Sequence, residues 1–203
     1  MTPELAIAGL GILILSVIAH EVAHGYMALS LGDPTARLSG RLTLNPAKHF
    51  DPIGSFVVPL FSILLFKVPF GWAKPVPYNP YNLRNQRWGE ALVAAAGPAT
   101  NFLIAIIFGF ITRMAAPYIS GSMQSMLIAI VDINLALMVF NLVPIPPLDG
   151  FKVFTSFLSA RYAKFVYFME HQGVIILLLF VFFLSSYIAP VIDFLHNIIL
   201  RGI

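Results

Sequence analysis

Residues 5–31 read Leu-Ala-Ile-Ala-Gly-Leu-Gly-Ile-Leu-Ile-Leu-Ser-Val-Ile-Ala-His-Glu-Val-Ala-His-Gly-Tyr-Met-Ala-Leu-Ser-Leu, an apolar run interrupted by two imidazoles and a carboxylate. Ahead of it, Thr2-Pro3-Glu4 supplies a hydroxyl cap, a proline for the first turn and an acid at the positive end of the helix dipole. Behind it, Gly32-Asp33-Pro34 stops the helix. At 1.5 Å per residue such a helix is about 40 Å long, enough to cross a bilayer. A charged group at the centre of a bilayer helix costs about 2.5–3.5 kcal/mol, so His20, Glu21 and His24 mark a site.

The rest of the chain is built for the same surroundings. Of its 203 residues 59% are apolar and 10% charged, against about 25% charged in soluble domains. We expect one membrane-embedded domain over 1–203, because no segment is long and polar enough for a separate soluble unit. A net charge of +3 is too small and too dispersed to argue for nucleic acid, and no nucleic-acid partner is expected. The basic residues between apolar segments are expected to face lipid head groups. Cysteine is absent, which removes disulfides and thiolate metal ligands. The N-terminus has no cationic region or small-residue cleavage site before the His-Glu pair, so a retained helix is expected there rather than a signal peptide.

Further spans are read at 89–116, 123–143 and 173–189. The tract 52–66 is apolar but short, with Pro59 in its middle. Residues 36–44 alternate polar and apolar about Ser39-Gly40 and predict a short β-hairpin or edge strand. The 71–88 tract is a proline-rich polar loop, and 151–172 reads as an amphipathic interfacial segment. After Pro190, the residues Asp193, His196, Asn197 and Arg201 form one stripe of a helix lying on the membrane surface. The expected fold class is an all-α polytopic membrane protein with about four full transmembrane helices, a re-entrant element and a short β-hairpin. Charge decides for re-entrance. If 52–66 crosses, seven basic residues face five; if it returns, the division is ten to two. The positive-inside rule favours the second arrangement, with the N-terminus outside and the 32–88 region cytoplasmic.

His20 and His24 lie four residues apart, on one helix face, a spacing that suits two corners of a zinc tetrahedron. Glu21 beside them is placed to accept a proton from water rather than to bind metal. A catalytic zinc takes three protein ligands and keeps one position open. For the third ligand Asp149 is the best candidate, at a proline-forced break and followed by Gly150. His49, His171, His196 and Asp132 are weaker rivals, and Asp132 is expected to be protonated or paired with Arg113.

The segments His20-Glu21-Val22-Ala23-His24-Gly25 and Asn141-Leu142-Val143-Pro144-Ile145-Pro146-Pro147-Leu148-Asp149-Gly150, with Gly97-Pro98-Ala99-Thr100-Asn101 between them, resemble the site-2 protease family of intramembrane zinc metalloproteases. The resemblance implies one zinc ion held by His20, His24 and Asp149, with Glu21 as catalytic base and Asn101 and Asn141 supporting substrate or site. It also implies hydrolysis of peptide bonds in or near transmembrane segments of membrane proteins, in regulated proteolysis at a prokaryotic cell membrane. Unlike many members of that family, these 203 residues are expected to include neither an inserted PDZ domain nor appended CBS domains.

A transmembrane substrate must unwind before its backbone is attacked, and the freed backbone groups need partners where water is scarce. Strand addition to 36–44 is the expected clamp, with the 71–88 loop and the re-entrant element controlling access. Two other classes compete. An ion or proton transporter would show repeats or polar residues strung along a route, and here they concentrate at one depth. A relative that only binds transmembrane segments would have lost Glu21 or a ligand, and none is lost. Oligomeric state is not legible.

Overall fold

A computed structural model describes residues 3–51 and 74–201 of the chain. The expected re-entrant element at 52–66 lies outside the described residues. Among the described residues three helices are long and apolar enough to cross a membrane, within the stretches Ile7–Ser30, Trp88–Tyr118 and Gly121–Asn141. The first belongs to α1 (Pro3–Ser30), which ends at the Gly32-Asp33-Pro34 stop. The second belongs to α3 (Gln86–Ala115) and the third is α4 (Gly121–Asn141). The Ser120 hydroxyl starts α4 by accepting from the Met123 N–H.

These three helices pack against one another with α3 in the middle. Ala105 of α3 meets Val131, Leu135, Met138 and Val139 of α4 in the main apolar cluster, which Leu200 closes. A second cluster of Ala28, Leu83 and Val93 joins the end of α1 to α3. Large apolar side chains such as Leu10, Leu15, Phe110 and Met114 remain exposed along the same helices. A face of that size left open suits lipid rather than water.

The β-hairpin expected at 36–44 is not formed, and no strand occurs among the described residues. Instead Thr35–Leu38 is one helical turn, α2. The Asp33 carboxylate starts it by accepting from the N–H and hydroxyl of Thr35. Gly40, at φ 63°, ends it. That left-handed residue lets the Gly40 and Arg41 N–H groups turn back to the Arg37 and Ala36 carbonyls. The alternation about Ser39-Gly40 was therefore a helix C-terminus and not a hairpin turn.

The fourth span is also different. Beyond α4 the chain forms α5 (Asp149–Ser156) and α6 (Ala163–His171), so 151–172 is two short helices. Then α7 (Gly173–Leu179) passes into a wider turn over Phe180–Leu184 and a tighter one over Ser185–Tyr187. The stretches Ala160–His171 and Gly173–Leu184 are bent by 68° about their junction, so the described residues hold three spans, or four if that pair crosses as one. The last helix, α8 (Ala189–Ile199), presents Ile192, Leu195 and Ile199 to the main cluster. Its His196 Nδ1 lies 2.5 Å from Asp132 Oδ1, so Asp132 takes His196 as partner rather than Arg113.

Candidate metal centre

On α1, residues Ser16, His20 and His24 fall at intervals of four and share one face. On α3, Val93, Gly97 and Asn101 do the same. The two triads face each other in opposite order. Asn101 meets Ser16 and His20, Val93 meets His24, and Gly97 lies between the imidazoles. A Cβ at Gly97 would stand 2.6 Å from carbons of both rings, so only glycine lets the α3 backbone come this close. Pro98, inside α3, lacks the N–H that would pair with the Ala94 carbonyl one turn back.

The hydrogen bonds fix which ring nitrogens are free. The Val93 carbonyl can only accept, so His24 Nδ1, 2.7 Å away, donates to it. The Ser16 carbonyl likewise forces the Asn101 amide nitrogen toward itself at 3.3 Å. That turns Asn101 Oδ1 toward His20 Nδ1 at 2.6 Å, so this nitrogen donates as well. In the neutral rings both Nε2 atoms are then left with lone pairs. Asp149 Oδ2 lies 3.0 Å from the first and 3.3 Å from the second. Three electron-pair donors converging in this way repel one another unless a cation sits among them. Adjacent ligand atoms of a zinc tetrahedron with bonds of about 2.0–2.1 Å are about 3.3 Å apart, so the donor set fits that ion.

Asp149 reaches this point because α5 begins with it, directly after the proline-rich break, and packs against α3. Glu21 lies beside the two imidazoles. One ligand-type atom each from His20, Glu21 and His24 falls within 4.8 Å of the others. The Glu21 carboxylate is not free, however: its Oε2 accepts from the Val76 N–H at 2.8 Å. His20 and His24 are buried, and Glu21 and Asp149 are partly accessible.

Of the residues singled out in the sequence, His20, Glu21, His24, Asp149 and Asn101 therefore come together. Asn141 does not join them; its amide donates to the Leu137 carbonyl one turn back on α4. His49 donates from Nε2 to the Thr43 carbonyl and stays in the loop. Other participants were missed, among them Ser16, Val93, Asn134 and Val76. Asn134 of α4 is fully buried, and its Oδ1 accepts from Asn101 at 2.9 Å. Its own amide nitrogen donates to Ser16 Oγ and to the Ile130 carbonyl. An amide in the middle of an apolar span was the available signal. Val76, in a loop, gave none.

The chain is 38% identical over 185 residues to YwhC of Bacillus subtilis, an alignment covering 87% of this chain and 81% of that protein. It belongs to peptidase family M50. The family model itself matches residues 110–185, which contain the Asn141-to-Gly150 tract. Rip2 of Mycolicibacterium smegmatis is 29% identical over 138 residues, covering 68% of this chain and 52% of the relative. Zinc metalloprotease MJ0392 of Methanocaldococcus jannaschii is 26% identical over 151 residues, covering 74% and 34%. No solved structure matches the chain. Family membership and three long apolar helices make the chain an integral membrane protein.

Proposed function

We propose that this M50 peptidase is a zinc endopeptidase acting on transmembrane proteins within the bilayer. The observation that carries the reading is the convergence of His20 Nε2, His24 Nε2 and Asp149 Oδ2 beside Glu21, on a helix apolar enough to span a membrane. Glu21 stands nine residues before the end of α1, about 14 Å along the helix axis. That supports a site below the membrane surface, and relatives carrying zinc metalloprotease names support the metal.

His20, His24 and Asp149 would hold the ion. When bound, zinc supplies Lewis acidity, bringing the pKa of water toward neutrality and polarising a carbonyl oxygen. The chain's own residues do the rest. Asn101 and Val93 hold the two imidazoles in the tautomer that presents Nε2. Glu21 accepts the proton of the attacking water and passes it to the leaving amine.

Topology follows the charge count. The His49 carbonyl accepts from the Lys74 N–H at 2.9 Å, which brings residue 49 and residue 74 side by side. This supports placing Arg37, Arg41 and Lys48 on the same side as Lys74, the cytoplasmic one. Regulated proteolysis at a prokaryotic cell membrane is the setting that fits a site so placed.

The test is zinc content and cleavage by the detergent-purified protein. About one zinc per chain is expected, with loss in His24→Ala and in Asp149→Ala. Glu21→Gln should keep the metal and lose cleavage of a transmembrane reporter by a factor of about 100 or more. A folded wild-type protein that takes up no zinc would overturn the reading.

A further inference from the structure

The stretch 74–79, Lys-Pro-Val-Pro-Tyr-Asn, runs without helical structure across α1 beside the metal-ligand helix turn. Proline at 75 and 77 leaves Val76 with the sole N–H of these three residues, and that N–H is given to Glu21. The stretch is tied down along its length. Arg41 Nη2 donates to the Lys74 carbonyl at 2.6 Å and to the Pro75 carbonyl at 3.3 Å. Beyond Val76, the Lys152 ammonium reaches the Tyr78 hydroxyl at 3.0 Å, and the Asn79 N–H donates to Asp33 at 2.7 Å. Glycine at 25 makes room, since a Cβ there would meet Val76 Cγ1 at 2.8 Å and Leu42 Cδ2 at 2.5 Å.

Arg41 is 7% exposed, and its Nε has no hydrogen-bond partner among the described residues. Burying a cation with an unpaired donor is costly. As a stabilising device the arrangement is poor. As a way of fixing the two peptide groups immediately before Val76 it is direct.

We propose that Arg41 is a positioning residue: by clamping the Lys74 and Pro75 carbonyls it aims the Val76 N–H that holds the Glu21 carboxylate in place. This rests on the assignment of Glu21 as base. A single N–H donor occupies one carboxylate oxygen, and the other keeps its capacity to accept. The clamp therefore sets the angle of the base without occupying it. Misplacement of a reacting group by about 1 Å costs about 100-fold in rate, which gives the size of the expected effect.

Two readouts on the zinc-loaded, full-length protein test this. Arg41→Gln should lower kcat about 10–100-fold, with KM and zinc content unchanged. Because one nitrogen makes both contacts, Arg41→Lys should recover most of the loss, and Arg37→Gln, an exposed control, should cleave normally. Amide hydrogen exchange supplies the readout independent of activity. The tract 74–78 has N–H groups only at Lys74, Val76 and Tyr78, and its slow exchange should accelerate in Arg41→Gln and Glu21→Ala but not in Arg37→Gln. Wild-type kcat and exchange in Arg41→Gln, beside an inactive Glu21→Gln, would overturn the clamp alone. Loss of zinc or of folding in both Arg41 variants would overturn it too, by making Arg41 structural. Cleavage retained by Glu21→Gln would instead remove the base assignment on which the proposal stands.

Discussion

At the scale of single residues, the site is organised by groups that can act only as donors or only as acceptors. The Ser16 carbonyl orients Asn101, Asn101 orients His20, and Asn134 closes the circuit through its own amide. Asn134→Leu removes the Oδ1 that shares the Asn101 amide nitrogen with the Ser16 carbonyl and so loosens the hold on Asn101. The expected outcome is zinc binding weakened about 10–100-fold, measured by competition with a chelator, while Asn141→Leu leaves affinity unchanged because among the described residues Asn141 bonds to its own helix, at the Leu137 carbonyl. Gly97→Ala is expected to do more. Its new methyl meets His20 and His24 at 2.6 Å, and neither ring can yield while its Nδ1 is bonded, so stoichiometric zinc should be lost.

At the scale of elements, the working unit is the antiparallel pair α1 and α3, whose facing triads are 16, 20, 24 and 101, 97, 93. The end of α1 is secured by Asp33, which is fully buried and accepts from Thr35, Asn79 and Asn82. Burial alone would push this carboxyl up. The hydrogen bonds from Thr35, Asn82 and Asn79 outweigh it and hold the group below its ordinary value. A carboxyl depressed in the folded state contributes stability above its unfolded pKa of about 3.9, and that contribution is lost as pH falls through the lower folded value. The thermal midpoint of the detergent-solubilised protein should therefore drop as pH is taken from 5 toward 3. Asp33→Asn should be less stable at pH 7 by about 1–3 kcal/mol and show a shallower acid dependence.

At the scale of the molecule, the arrangement to be checked is which loops share a face of the membrane. The turn over Ala116–Tyr118 joins α3 to α4 at the end away from α2 and the 74–79 stretch. The chain has no cysteine, so single thiols introduced at Arg37, Lys74 and Tyr118 report unambiguously. In intact cells an impermeant maleimide should label position 118, and positions 37 and 74 only after the membrane is opened. Labelling of 37 and 74 on opposite sides would sink the cytoplasmic placement of the whole 32–88 region.

Local chemistry was legible from the sequence where it depends on spacing along one helix. A four-residue interval puts His20 and His24 on one face whatever surrounds them, and apolar runs of bilayer length follow from composition. The break before Asp149 is equally local, since prolines cannot continue a helix. What alternation could not decide was 36–44. Its outcome turned on Asp33 and Gly40, whose hydrogen bonds start and end a helical turn. The bent fourth segment likewise has the composition of a span but not its continuity. Tertiary structure alone decided that Asp149 lies 129 positions from His20 yet 3.0 Å from its Nε2. It alone also set Asn134 behind Asn101 and the Val76 N–H on Glu21. Those contacts join groups distant in sequence through backbone atoms and amides, whose partners are chosen by packing and carry no periodic signal. The sequence by itself determined the residue types for metal chemistry and the solvent in which they work; the packing of three helices and one clamped loop decided their geometry.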